Sequence, residues 1–235
     1  MVQENNPSTL SKEELIKLLR GNIKAFNRYR ESNGFEPIDL SDGKLQGATL
    51  TGAKLQDIDF SGANFEYANL VSADMSRCIL KNALLIYSNV MQANLQNADL
   101  EGADLTGAQL EGAKLDGANL SMSLFSQANL TNVSLNQADL ESTNFCSANL
   151  TATNFKNALN LKYCIFDKFT RWPGEEFLPK DFNPGKGMYG SDEDFSTTVV
   201  DHEEEPMHHH EDMHSQDAMT PDELRYKLMD EIKTS

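Results

Sequence analysis

The sequence predicts an all-β solenoid through its middle, and three observations predict it. Every fifth residue from Leu40 to Phe155 is Leu, Phe, Met or Val, at all 24 such positions. Two residues before each of them stands a small residue in most units, Ala in 15 of the 24, with Gly43, Cys78, Ser88, Ser123, Thr143 and Thr153 among the rest. No insertion interrupts that phase, and self-similarity at a short fixed period marks a repeat architecture. A period of five is neither that of a helix nor that of simple strand alternation. Inward residues at places one and three fit a strand-like step, and the other two places must turn the chain through a corner. Gly47, Gly52, Gly62, Gly102, Gly107, Gly112 and Gly117 fall at that corner, where a positive φ costs glycine little. Leu or Phe then fills the axis, and Ala stands where the walls approach most closely.

The unit reads A(D/N)LXX, as in "LQNADLEGADLTGAQLEGAKLDGANL". In this the chain resembles the pentapeptide-repeat family from about Ile38 to Phe166. The resemblance implies a right-handed, four-sided parallel β-helix with four units to a coil. Residues 20 apart then stack about 4.8 Å apart, which places Phe125 over Phe145 in the core and Tyr67 beside Tyr87 outside. Asn69, Asn89, Gln109, Asn129 and Asn149 are expected to form an outward amide ladder of structural character. The phase slips in "NALNLKYCIFDKFTRWP", where Asn160 occupies a place due to an apolar residue. One extra residue moves the pattern to Leu161 and Phe166, with Cys164 in the small place. The following "FDKFTRWP" resembles the closing segment of family members.

A solenoid exposes edge strands at its ends, and the N-terminal segment, residues 1–37, is expected to cover one of them with a helical cap. Ser11 with Glu14 forms a capping box, and Leu10 with Leu15 has the spacing of a hydrophobic staple. Leu15, Leu18, Leu19, Ile23 and Phe26 continue an apolar face that Gly21 is expected to bend. "GNIKAFNRYRESNGFEPIDL" also resembles the helical lead-in of some family members. Residues 38–169 form the coil and 170–185 a closing segment. The acidic stretch 186–219 is poor in aliphatic residues and is expected to be disordered. Residues 220–235 read as a short amphipathic helix: Thr220 as N-cap, Pro221 in the first turn, Glu223 completing a capping box, and Leu224, Leu228 and Ile232 on one face. So short a helix is marginal alone and is expected to dock.

Charge and composition narrow the function. The formal net charge is −16. Residues 1–39 are neutral, 40–170 carry −5 and 171–235 carry −11, so direct nucleic-acid binding and membrane binding are not expected. Three unpaired-looking cysteines, a polar start and no long apolar run point to a reducing, cytoplasmic setting. The coil contains no histidine, its acids face outward, and no glycine-rich phosphate loop precedes a helix, so catalysis and a cofactor are not expected. All five histidines fall between His202 and His214. Of these, His208, His209, His210 and His214 in "MHHHEDMH" are candidate ligands for copper, nickel or zinc. In "CILKNALLIYSNVMQ" the outward places hold Ile79, Leu84, Ile86, Tyr87 and Met91. Together with Tyr67 they form a candidate contact patch for an amphipathic helix, its own or a partner's.

The function expected from these features is a rigid, non-catalytic protein-interaction or scaffold module, with a homodimer and an unidentified protein among its partners. Two alternatives stand beside it, the first implied by the resemblance and the second by the histidine-containing tail. Some family members mimic duplex DNA and act on type II topoisomerases such as gyrase, and the histidine tail would make a metal-binding adaptor. Duplex DNA as long as seven coils, about 31 Å, carries about 18 negative charges. The coil here offers thirteen acids against eight bases, a poor match.

Overall fold

The structure, a computed structural model, describes residues 10–184. The candidate metal ligands His208, His209, His210 and His214, the acidic stretch and the 220–235 segment with Leu224, Leu228 and Ile232 lie outside the described residues.

Four flat sides arise from one repeated pairing. The strands β1 (Ile38–Asp39) and β2 (Ile58–Asp59) run parallel with Asp39 opposite Asp59. Single bridges then join Lys44 to Asn64, Thr49 to Asn69 and Lys54 to Asp74. The same offset of 20 carries each face onward, so we name the faces after Asp39, Lys44, Thr49 and Lys54. The Asp39 face climbs through Asp59, Ile79, Asp99, Asn119 and Asp139 to Leu159, seven rungs in all. Every inward apolar residue from Leu40 to Phe155 is fully buried, and the alanines beside them are at most 6% exposed.

The D/N of the repeat has a specific cause. In the unit Asn89-Val90-Met91-Gln92-Ala93, Asn89 N–H donates to Ala68 O (2.9 Å), Val90 to Gln109 O (2.7 Å), Gln92 to Glu111 O (3.0 Å) and Ala93 back to Val90 O (3.1 Å). The remaining donor, Met91 N–H at the corner, finds Asn89 Oδ1 at 3.2 Å. All five backbone donors are thereby satisfied, as burial in a repeat demands. The same side-chain bond recurs at Asp59, Asn64, Asp74, Asp99, Asp104, Asp139 and Asn144. The expected amide ladder forms only in part. On the Thr49 face the amide oxygens of Asn69, Asn89, Asn129 and Asn149 serve their own corners. Amide bonds between coils join Gln109, Asn129 and Asn149, at 3.4 Å each. A corner N–H has no covalent freedom to turn elsewhere, so it claims the nearest acceptor first.

The second corner residue is left-handed from Asp42 to Ala152, at φ +67° for Gly107 and +57° for Gln92. Where the small inward place is not alanine, the substitute hydroxyl is buried and donates to a carbonyl: Ser88 to Leu85 O (2.7 Å), Thr143 to Leu120 O (2.8 Å) and Thr153 to Leu130 O (2.6 Å). A methyl-sized group with one satisfied hydroxyl costs little there.

Two helices precede the coil, α1 (Lys12–Gly21) and α2 (Ile23–Ser32). The capping box of Ser11 and Glu14 is formed. The expected single bent helix is instead two, because Asn22 leaves helical geometry (φ −155°, ψ 83°) and its side chain caps α2 by accepting from Ala25 N–H. Leu15, Leu19 and Phe26 join the coil's core. A Cβ at residue 43, in the small place, would stand 2.8 Å from Leu40 O, so glycine is required there by the backbone, and Ile16 Cδ1 packs at ordinary contact distance beside it. Side chains of the helices also bond the first coil's lower rim. Arg20 donates to Lys44 O (2.8 Å), Asn27 donates to Gly52 O (3.0 Å), and Asn27 Oδ1 accepts from Lys54 N–H (2.9 Å). Arg30, fully buried, donates to the carbonyls of Phe35, Glu36 and Gln56. In inner coils Asp74 N–H and Ser76 O, the counterparts of Lys54 N–H and Gln56 O, are bonded to the coil below.

At the far end the register slips as expected and then slips again. Asn144 pairs with Ile165 and Asn149 with Arg171, offsets of 21 and 22. The first extra residue is absorbed at left-handed Asn160, leading into a 3-10 turn at Leu161–Tyr163. Phe155 N–H donates to Phe177 O (2.8 Å), so coil pairing runs on beyond residue 169. Thr170 and Leu178 fill inward places in that stretch. In the last coils Phe155, Phe166 and Phe182 contact Trp172 with ring centroids 5.1–5.8 Å apart.

Candidate interaction surface

The proposed contact patch is divided by the square section of the coil. Tyr67, Ile86 and Tyr87 occupy one corner, between the Lys44 and Thr49 faces, and Leu84 stands on the adjoining Lys44 face. Ile79 belongs to the preceding Asp39 face, and Met91 to the next corner, beyond the Thr49 face. A five-residue step carries the chain around a right-angled corner, so neighbours in sequence look in different directions. The patch is therefore four residues on one edge, with Ile79 and Met91 apart from it.

Tyr67 and Tyr87 stack with centroids 5.6 Å apart and planes 19° from parallel, and each is about two-fifths exposed. Corner side chains lean toward the next coil, so Tyr67 lies against Tyr87 and Tyr87 covers Gly107. A Cβ at Gly107 would collide with the Tyr87 ring. Burial raises the Tyr67 hydroxyl's pKa, assisted by Tyr87 and Glu66. Gly107→Ala is expected to eject the Tyr87 ring and to cost about 1–2 kcal/mol. The near-ultraviolet circular dichroism of the tyrosines and a thermal melt would register both effects.

Apolar residues in outward places form a second group. Met122, Leu124, Leu159, Tyr163, Ile165 and Phe169 are 38–65% exposed. Leu124 was detectable from the repeat alone, because it replaces the D/N of its unit. Ile165 was hidden by the phase slip.

The cysteines divide by burial. Cys78 and Cys164 fill small inward places and donate to Leu55 O (2.9 Å) and Leu140 O (3.3 Å). Burial pushes both thiols up to about 12. Cys146 is half-buried, its pKa raised by burial and by Asp167. Since only thiolate reacts, native protein at pH 8 is expected to yield one alkylated cysteine, Cys146, and unfolded protein three. Peptide mass mapping after a timed iodoacetamide pulse would show it.

Carboxylates of the walls are engaged in structure: Asp59, Asp74, Asp99, Asp104 and Asp139 each accept a corner N–H. Among the described residues no group of three or more His, Cys, Asp or Glu is placed to hold a metal ion, and no helix is long and apolar enough to cross a membrane. A shallow groove between α1 and the first coil is lined by Lys12, Ile16, Lys17, Arg20, Lys44 and Asp42. Lys12 is held there by Asp39 (3.2 Å) and Ser41 (2.9 Å).

A family model described as pentapeptide repeats matches residues 44–82, 85–121 and 123–159, in eight copies. No curated protein matches the chain. Among solved structures, a pentapeptide repeat protein (Rfr23) of the cyanobacterium Cyanothece 51142 is 29% identical, over 63% of this chain and 98% of its own, with a TM-score of 0.38. The pentapeptide repeat protein alr5209 of Nostoc PCC 7120 is 34% identical over 41% of this chain and 75% of its own, with a TM-score of 0.25. QnrB1, a plasmid-mediated fluoroquinolone resistance protein, is 19% identical over 56% of this chain and 84% of its own, with a TM-score of 0.29.

Proposed function

This chain belongs to the pentapeptide-repeat family, whose members fold as right-handed quadrilateral β-helices, and from that premise we propose that it is a non-catalytic protein-interaction module. The two N-terminal helices act in this reading as a cap, supplying partners to a rim that would otherwise pair with another edge. The coil itself is a rigid rod, and its working parts are the places where the repeat is broken outward.

One observation carries the reading. At the edge formed by Leu84, Ile86, Tyr67 and Tyr87, apolar and aromatic groups stand together where the repeat usually places polar residues. Leucine at residue 84 also offers no acceptor to the corner N–H that Asp or Asn serves elsewhere. A repeat that gives up its own turn bond for a half-buried leucine beside two exposed tyrosines favours an external contact, since departures from local consistency gather at functional sites. Stacked tyrosines supply large, stiff area at low entropic cost, as interface anchors do.

Affinity capture from the source cells, comparing wild type with a Tyr67→Ser, Tyr87→Ser double variant of unchanged melting temperature, tests this. Loss of a specific stoichiometric partner is the expected outcome. An identical set of captured proteins would overturn the reading. The topoisomerase alternative draws little support from the charges on the coil. Acids on the Asp39 face are interrupted by Ile79, Asn119 and Leu159, and Lys81 sits within 3.2 Å of both Asp99 and Glu101.

A further inference from the structure

We infer that the Lys44 face receives a basic amphipathic helix from another protein, laid along the coil with apolar residues seven apart set against Leu84, Leu124 and Ile165. The inference rests on the interaction-module reading and names the partner's chemistry.

Register is the first argument. The Lys44 face climbs through Asn64, Leu84, Asp104, Leu124 and Asn144 to Ile165. Its three apolar residues thus occupy every second rung, about 9.6 Å apart. Seven residues of an α-helix advance about 10.5 Å. Over the whole row two heptads, about 21 Å, differ from four rungs, about 19.2 Å, by about 1.8 Å, so a helix lying parallel to the row keeps all three contacts within side-chain reach. A strand or an extended peptide, at about 3.3 Å per residue, would need contacts three residues apart, which fall on alternating sides of the chain.

The intervening polar residues do not obstruct the row. Asp104 Oδ1 accepts from Thr106 N–H and Asn144 Oδ1 from Cys146 N–H, both at 2.9 Å, so each carboxylate or amide is drawn to its own corner. Leu84 and Leu124 replace residues that would make that same bond, on alternate rungs of one face. The pairing of Asn144 with Ile165 preserves the face despite the extra residue, and brings an isoleucine to the place where the row needs one. Leu124 and Ile165 are about two-fifths exposed, and Met122, more than half exposed, flanks Leu124 at the preceding corner.

Charge selects the partner's sign. Glu101 and Glu141 line the corner that leads into this face, Asp104 lies on it, and Asp99 and Asp139 stand on the face before. The cations on that side are Lys81, paired with Asp99 and Glu101, and Lys162 at the far end, which lies over the Tyr163 ring, so the acids outnumber them. Lys114 lies on the opposite, Lys54 face. The other flank is uncharged at Thr106, Ser126 and Cys146, and at its end Asp167 is bonded by Ser147 and Thr170 while Lys168 lies over the Phe169 ring. A complementary helix therefore carries Lys or Arg along one flank of its apolar stripe and neutral residues along the other.

The test uses full-length protein and a fluorescein-labelled synthetic peptide of three heptads, with Leu at the heptad positions and Lys on one flank. Two further peptides have the same composition with the heptad broken, or Glu in place of Lys. Fluorescence anisotropy at physiological ionic strength is expected to show the heptad peptide binding at least about tenfold more tightly than either. Leu124→Asp with Ile165→Asp, checked for an unchanged circular dichroism spectrum and melt, is expected to weaken it about tenfold. Glu101→Lys with Glu141→Lys is expected to shift preference toward the Glu peptide. Equal binding of the broken-heptad peptide, or indifference to the Leu124 and Ile165 changes, overturns the inference. So does a change in oligomeric mass on those substitutions without a change in peptide affinity, which would assign the face to a second copy. If the peptide fails while Tyr67 and Tyr87 still govern capture of a partner, this inference falls and the interaction module stands.

Discussion

Phe145→Ala is expected to lower the stability of the coil by about 3–5 kcal/mol, the range for emptying a buried aromatic site. Phe145 is fully buried and links two halves of an aromatic column. Its ring stacks on Phe125 with centroids 5.5 Å apart and meets the edge of Phe155 at 6.1 Å, and Phe155 in turn contacts Trp172. It also stands at the rung where the pairing offset first changes, since Phe145 N–H donates to Ile165 O (2.7 Å). No neighbouring wall can collapse into the vacated space, because each wall is tied to the coils above and below. Repeat stability is a sum of local and nearest-neighbour terms, so the rungs after residue 145 are expected to open first. The sole tryptophan, Trp172, reports on that end. Urea titration followed by its fluorescence is expected to show an early transition, separate from the main loss of β circular dichroism. Phe145→Leu, which keeps most of the volume, is expected to cost less than about 1.5 kcal/mol. A single transition with under about 1 kcal/mol lost in the alanine variant would refute this account of the column.

Arg30→Ala is expected to release α1 and α2 while leaving the coil folded. Among the described residues no carboxylate bonds the guanidinium, which serves the carbonyls of Phe35, Glu36 and Gln56. Burial pulls its pKa down, opposed chiefly by the charge of Asp57. Its Nε and the nearby buried Gln56 Oε1 lack partners among the described residues, so the site is already short of hydrogen bonds. Removing the side chain leaves further acceptors without a donor and a void beside Phe26, at a cost of about 2–4 kcal/mol. Hydrogen exchange is expected to accelerate through Lys12–Ser32 and around Gln56, with amides beyond the second coil unchanged. Arg30→Lys is expected to rescue little, because one ammonium cannot span three carbonyls as a planar fork does. Exchange unchanged in both helices would show that Leu15, Leu19 and Phe26 hold them without it.

Much of this molecule was legible in the letters, for a physical reason. A period of five allows one backbone conformation per place, so Leu at the axis, Ala at the wall and Gly at the corner could each be assigned before any coordinate. The aromatic stacks Phe125–Phe145 and Tyr67–Tyr87 followed from the twenty-residue coil that the family resemblance implies. So did the slip at Asn160, because a departure from strict repetition is visible at once. Cys78 and Cys164 could be read as inert on the same ground.

Tertiary structure decided what the repeat leaves degenerate. Whether the amides bond across coils or to their own corners depends on competition among acceptors, and the nearest N–H prevailed. Ile79 and Met91 parted from Leu84 and Tyr87 because direction around a square is a three-dimensional property, invisible to a list of outward residues. The row Leu84, Leu124, Ile165 needed the register after the slip, which one extra residue conceals. By itself the sequence determined a tube and its contents, since burial and turn chemistry act within one unit. Which outward residues share a face was decided only by winding, since that is set by residues twenty or more apart.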